Sequence, residues 1–530
     1  MATFLVGCLT FGCSRPDYKE EADAQVYDII EKKWRAEYGP KVNYKISDTE
    51  PLPEDIRVQR SVPESGILSL PRAAALATAY NRQYQLQKEE LYVRALDLRL
   101  ARHDYEKQFF GGLSGGYNAD RNDEVAGLES KFGFSQLLAT GARIGTKVSL
   151  AWAQALTGNL ESGLVSVLST SLTQPLLRGR NRMVVFEDLT QAERDALYQV
   201  RTFNRFRKTL VVSVIAQYYQ VLGLYETAET AKSYYEELND IYGRVETLTA
   251  AGRLPKFELD RARQDRLIAS DAYIRARKAY EQALDEFKII LALPTTIEFE
   301  LDWSELKALK GTEMVRPEFS EDEAVETAFA QRLDLANGID AIEDAERKVL
   351  VAADGLRADA NVIAVLNVIS NRQADRRTVD WLGEQYEIGI EIDLPIDRVA
   401  EQNVYRKALI ALSQRERQYE LARDTVALEV RLAYRDLMEA AERYKVQDEG
   451  VEVAKQRLEN TELMVKYGRA SSRRVLNARQ DLYDAQVART GALVNYNIAT
   501  LNFYRDTGVL QVRPDGMWEH PTRLERRDVQ

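Results

Sequence analysis

The tightest constraint on this chain is that much of it is written twice. Tyr218 to Asp265 align without a gap on Tyr434 to Asp481 at a constant offset of 216, laying Gly252-Arg253 over Gly468-Arg469 and Ala262-Arg263-Gln264-Asp265 over Ala478-Arg479-Gln480-Asp481. A fixed period takes precedence over other signals, because overlooking it mis-assigns the whole fold. The hydrophobic pattern repeats as well. Leu224, Ala228, Ala231, Tyr235, Leu238, Tyr242 and Val245 are spaced by fours and threes, and Ala440, Tyr444, Gln447, Val451, Ala454, Leu458 and Thr461 answer them. That spacing is a coiled-coil seam. Each seam runs into Gly-Arg, where glycine tolerates the positive φ of a chain reversal, and Pro255 suits the first turn of a returning helix. Each copy is therefore a helical hairpin, with its tip near 250–256 or 467–474.

The chain has 530 residues, 45% hydrophobic and 29% charged, and only 13 prolines. Few breakers and evenly spread charge predict long helices in place of many small domains. The net charge of −11 argues against a nucleic-acid partner, which selects a basic face, and suits solubility or an acidic conduit. Beyond the first dozen positions no run of about 18 apolar residues occurs, so any membrane crossing has to use strands.

The first residues are apolar and turn abruptly polar at Ser14-Arg15-Pro16-Asp17. This pattern resembles the end of a lipoprotein signal segment, 1–13, with the modified cysteine at the switch. Leu5-Val6-Gly7-Cys8 is the better local match, but too little apolar core precedes it, so Cys13 is the expected lipidation site. No basic residue comes before it, so either the true start lies upstream or the segment is only an apolar tail. With both cysteines here, the folded body has no disulfide framework or cysteine metal site.

Residues 14–67, with Pro40, Pro51, Pro53 and Pro63, read as an extended lead. The first repeat occupies 68–293. A helix starting at Ser69-Leu70-Pro71 and running to Lys107 matches Ser320 to Lys348, with Arg82 over Arg332 at an offset of 250. The offset then falls to 216, so the first half carries about 34 extra residues. Strands account for what lies between. In the second repeat, 320–510, Ala360 to Ser370 is β-rich, a polar loop spans Arg372 to Thr378, and Tyr386 to Leu394 alternates strictly, with apolar residues at even positions. Period two means one oily face and one wet face. In the first repeat Phe109 to Asn118 and Val165 to Leu177 correspond, and a further hairpin near 130–156 makes up most of the surplus. Its Phe132 and Phe134 precede Gly141, and Ile144 to Trp152 alternate after it. Arg182 to Thr249 then holds no proline, and its 68 residues at about 1.5 Å each reach about 100 Å. A linker, 294–319, joins the repeats, and a charged tail, 511–530, ends the chain.

The fold class expected is an α+β membrane channel: a long coiled-coil tunnel plus a transmembrane β-barrel to which each protomer gives four strands. Four strands cannot close in lipid, where each unpaired edge group costs several kcal/mol, so the chain has to oligomerise. Three copies would make a twelve-stranded barrel.

The order of elements, the two-fold repeat, the strand ending Ser171-Leu172-Thr173-Gln174-Pro175-Leu176-Leu177 and the Gly-containing tips resemble the TolC-type outer-membrane efflux proteins over residues 68–510. The resemblance implies a homotrimer with its barrel in outer-membrane lipid and its helical body in the periplasm. The closed end of such a channel meets a periplasmic adaptor and an inner-membrane pump, and cargo passes through without chemical change. By that similarity Gly252, Arg253, Leu254, Gly468, Arg469 and Ala470 form the docking tips. The family's aspartates six and nine residues after the second tip glycine are Arg474 and Asn477 here, and the first copy has Glu258 and Arg261. No acidic ring carries over to the second tip. The candidate gate is Glu258, Arg473, Arg474 and Asn477, with the two arginines either latched to acids of a neighbouring helix or simply solvated.

Neither enzyme activity nor a cofactor is expected. His103 and His520 have no local constellation for a triad or zinc site, and Gly111 to Gly116 lacks the Lys-Ser/Thr ending of a phosphate loop. Trp152, Trp381 and Tyr386 lie where an interfacial aromatic belt or ordinary packing would use them. No His-rich or Met-rich tract points to metal export. The rival reading is a lipid-anchored periplasmic coiled-coil scaffold without a pore.

Overall fold

The computed structural model describes residues 15–35, 38, 44–46, 63, 65–119, 124–157, 163–311, 320–370, 381–394, 396–467, 469, 471–513 and 518–519. Cys8, Cys13, Gly468, Ala470 and the loop 372–378 lie outside them. The chain divides into two compact units. The first comprises Met1–Lys33, Glu90–Val200 and Asn337–Glu420, and the second Trp34–Glu89, Arg201–Ala336 and Leu421–Gln530.

In chain order the elements are α1 (Arg15–Lys33), β1 (Ile67–Leu68), α2 (Leu70–Tyr80), α3 (Arg82–His103), β2 (Gln108–Ala119), β3 (Glu124–Leu137), β4 (Arg143–Thr157) and β5 (Gly163–Pro175). There follow α4 (Arg182–Val185), α5 (Glu187–Ala250), α6 (Lys256–Ile290), β6 (Glu300–Leu301) and α7 (Trp303–Gly311). The second repeat supplies α8 (Glu321–Gln331), α9 (Leu333–Asp354), β7 (Asp359–Ser370), β8 (Trp381–Asp393), α10 (Val399–Lys466) and α11 (Ser472–Asp506), before β9 (Gln511–Val512) and β10 (Trp518–Glu519).

The offset of 216 holds at the tips and at the far ends of the returning helices: α5 and α10 end at Ala250 and Lys466, α6 and α11 begin at Lys256 and Ser472, and they end at Ile290 and Asp506. Every seam residue of both copies is buried or half-buried. Ahead of the strands the bounds of α2 and α3 recur in α8 and α9 at 251, one more than the residue matching suggests. Each of these helices is also interrupted, at Asn81 and Arg332, where the continuous pattern predicted one run. Asn81 is caught tertiarily: its side chain donates to the Ile290 carbonyl at 2.9 Å and accepts from the Tyr84 amide at 3.1 Å. Ser320 starts α8 with a reciprocal capping box to Glu323.

Two expectations need correction. Part of the extended lead is helical: α1 has no proline after Pro16 and buries Val26, Ile29 and Ile30, a helical stripe. The sheet has six strands, not four, in the order β2-β3-β4-β5-β7-β8, all antiparallel. The surplus hairpin is inserted into the sheet between β2 and β5, because its alternation matches theirs and its backbone pairs on both sides.

The sheet lies within the first unit, and its register assigns two faces. Paired residues in an antiparallel ladder point the same way. Phe109 pairs with Phe134, Phe134 with Thr146, Thr146 with Thr170, Thr170 with Leu366 and Leu366 with Tyr386, so these share a face. Trp152, Leu172, Ile388, Ile390 and Ile392 fall on it too. All the exposed large apolar residues of these six strands lie there except Phe110. The opposite face carries Gly112, Ser114, Gly116, Glu129, Lys131, Arg143, Lys147, Ser171, Glu387 and Glu391. No helix among the described residues is long and apolar enough to cross a membrane.

Candidate functional site

The tip of the first hairpin is built by backbone chemistry. Gly252 has φ +71°. Its amide donates to the Thr249 carbonyl at 2.9 Å, and the Arg253 amide reaches back to Leu248 at 2.9 Å. That pair of bonds is a Schellman stop, which satisfies carbonyls the helix end would leave free. A Cβ on Gly252 would meet nothing within 4 Å, so the glycine is needed for its backbone angle alone. Pro255 caps α6, and Gly252, Arg253, Lys256 and Phe257 are exposed, with Leu254 and Glu258 half-buried. In the second tip the Arg469 amide reaches Met464 at 2.8 Å, the same bond shifted by 216. Tyr467 there is 73% exposed.

Arg473, Arg474 and Asn477 are exposed on the opening turns of α11, and neither arginine has an ion pair among the described residues. The arginine that does tie helices together is Arg479, from the repeated Ala-Arg-Gln-Asp. Its guanidinium meets Glu237 of α5 and, at 2.6 Å, Glu462 of α10. One turn of packing surrounds it: the Tyr234 hydroxyl donates to the Gln480 side chain, and Tyr234 stacks on Tyr483 with centroids 4.8 Å apart. Tyr234, Leu238 and Ala269 form a small buried cluster, against which Leu476 also packs. Burial pushes the Tyr234 hydroxyl's pKa up, so it remains a donor. Burial also raises Asp265, against the lowering charge of Arg261. Residue types alone did not flag Arg479; its recurrence in both copies could have. Its counterpart Arg263 is exposed, so the two hairpins differ in what they hold.

Two further charged clusters brace the helices. In the second unit Arg332, only 3% exposed, bonds Asp334 at 2.8 Å and Glu429 at 2.6 Å, and Arg205 adds a bond to Asp334 at 3.0 Å. Burial works to raise the Asp334 carboxyl, but the Arg332 bonds and the Arg205 charge outweigh it and hold it below the ordinary range. In the first unit Arg194 and Arg347 share Asp344, and Tyr198 donates to the same carboxylate. No group of three or more metal-ligating side chains is present among the described residues. These are structural braces that tie the helices of each unit together.

The open antiparallel sheet with one apolar face and the two long helical hairpins are, in fold, similar to solved outer-membrane channels. The chain is similar to the solved Campylobacter jejuni CmeC outer membrane channel, at 17% identity over 89% of this chain and 94% of that one, with a TM-score of 0.61. It is similar to the open state of the Neisseria gonorrhoeae MtrE outer membrane channel, at 14% identity over 89% and 97%, TM-score 0.60. The outer membrane protein VceC of Vibrio cholerae also matches, at 14% identity over 83% and 96%, TM-score 0.59. No family model and no curated protein matches the sequence.

Proposed function

We propose that this protein is the outer-membrane channel-tunnel of a tripartite efflux or type I secretion system, through which substrates pass passively to the exterior. Three copies form the channel, anchored in part by a lipid on Cys13. The observation that carries the reading is the sheet: a broad apolar face with two unpaired edges is stable in lipid only when copies close it into a ring. Its likeness in fold to outer-membrane channels supports the same reading. The tips, Gly252, Arg253, Leu254, Gly468, Arg469 and Ala470, dock on a periplasmic adaptor that links the channel to an inner-membrane pump. Glu258, Arg473, Arg474 and Asn477 surround the entrance. Arg473 and Arg474 have no ion pair among the described residues, and we place the acid that latches them on another copy or on the adaptor. The test is purification from outer-membrane fractions and reconstitution in planar bilayers. Discrete channel steps are expected; a protein released by salt washing that never conducts would be a periplasmic scaffold instead.

A further inference from the structure

We propose that the sheet's two free edges, β2 and β8, pair with the edges of further copies, so that the barrel wall contains six strands per copy and the trimer proposed above encloses eighteen. This rests on the channel reading and extends it to the size of the membrane pore. The question is whether the inserted hairpin, β3 and β4, belongs to the wall or projects beyond it as a loop.

Four observations put it in the wall. β3 pairs with β2 along all twelve residues of β2, and β4 pairs with β5 from Arg143–Thr173 to Ala153–Gly163. The turn between them lies beside the end of β5 from which the chain leaves for α4: the Thr140 side chain lies 3.1 Å from the Gln174 amide oxygen, and the Gln174 amide donates to the Thr140 carbonyl at 3.1 Å. The hairpin therefore traverses the sheet to its foot, in the manner of barrels with tight turns on one side and longer loops on the other. Its apolar residues, Phe132, Phe134 and Trp152, share the face of Ile388 and Ile390.

The register also has the slope of a barrel. The ladder row that starts at Phe109, one residue above the foot of β2, reaches β8 at Tyr386, seven residues above its foot at Asp393. Six residues of stagger over five strand steps amount to about 20 Å of rise across about 24 Å, a tilt of about 40°, inside the range for closed barrels. β2 leaves the helices and β8 returns to them, so β8 of one copy lies antiparallel to β2 of the next, and an even strand count keeps that match around the ring. The polar face of β8 bears Glu387 and Glu391 and that of β2 carries no charged residue, so no acid stands directly across the joint from another; Lys131, one strand beyond, is already paired with Glu129 at 3.1 Å.

At this tilt eighteen strands give a ring about 36 Å across between backbones, against about 24 Å for twelve. A wall that wide holds an aqueous channel instead of a lumen filled by side chains.

The test is labelling with a membrane-impermeant maleimide of the full chain reconstituted in lipid vesicles, read above the parent chain with its Cys8 and Cys13. Lys131→Cys and Lys147→Cys are expected to react at least about tenfold faster than Phe132→Cys and Val148→Cys, like Ser171→Cys against Leu172→Cys on β5. If the four hairpin positions react alike while positions 171 and 172 still alternate, the hairpin stands outside the wall, and this proposal falls while the channel reading survives. If positions 171 and 172 also react alike, there is no membrane wall and both fall. Should a substitution prevent assembly, the cross-section of the unmodified chain decides by image, with eighteen strands expected and twelve overturning the inference.

Discussion

The turn that seats the inserted hairpin should be its most fragile point, and Gly141→Ala measures how tightly it is held. Gly141 has φ +80°, and a Cβ built there would lie 2.2 Å from the Gly179 carbonyl oxygen and 2.9 Å from Pro175 Cγ. An alanine in the left-handed region costs about 1–2 kcal/mol. The overlap adds about 1–3 kcal/mol, because the first atom it meets is backbone and cannot swing aside. The total is about 2–5 kcal/mol. Gly252→Ala is the internal control: its φ is +71° but no atom lies within 4 Å, so only the conformational cost of about 1–2 kcal/mol applies. Urea unfolding of the detergent-extracted protein, followed for the sheet by the fluorescence of Trp152 and Trp381 with Trp34, Trp303 and Trp518 replaced by phenylalanine, and for the helices by circular dichroism, should show Gly141→Ala losing sheet stability while Gly252→Ala leaves the sheet unchanged. Equal and small effects from the two substitutions would refute the close seating of the turn on the foot of β5.

The other predictions concern the helices. Arg332→Leu leaves Asp334 and Glu429 without their fork and should cost about 1.5–3 kcal/mol, read as a lower urea midpoint of the helical signal. Asp334, held below its ordinary pKa by Arg332 and Arg205, stabilises fully above the unfolded value near pH 4, and that contribution is lost as pH falls through the lower folded value. Asp265, raised by burial, has the opposite sign: its cost at neutral pH is relieved as pH falls through the raised value, so Asp265→Asn should stabilise at pH 7 and remove that dependence. If the hairpin tips form the entrance as proposed, Arg479→Ala, which releases Glu237 and Glu462 together, should raise the open probability in planar bilayers. Arg474→Ala should do so only through a contact to another copy, and conductance indistinguishable from the parent would end the latch reading for that residue.

Much of this architecture was legible in the residues because two periodicities carry it. The first tip, expected near 250–256, falls where α5 ends at Ala250 and α6 begins at Lys256, since a Gly-Arg stop and a four-three seam are local chemistry. Strict alternation likewise located Tyr386 to Leu394 as a strand with one apolar face. What stayed hidden depends on distant partners. The break at Asn81 is held by Ile290, more than two hundred positions away, so the helix pattern there looked continuous. The hairpin with Phe132 and Trp152 was visible as a hairpin, but only its backbone pairing to both β2 and β5 makes it part of the sheet. Arg473 and Arg474 drew notice by lying next to each other, whereas Arg479, one arginine among 72 basic residues, joins helices only through acids contributed by α5 and α10.

Single-particle imaging of the protein extracted from outer membranes tests the central claim most directly. The account predicts a threefold cylinder whose closed wall counts six strands from each copy, continuing into helices that run about 100 Å, the length of α10's 68 residues. A monomeric particle with its sheet edges free in solution would contradict it.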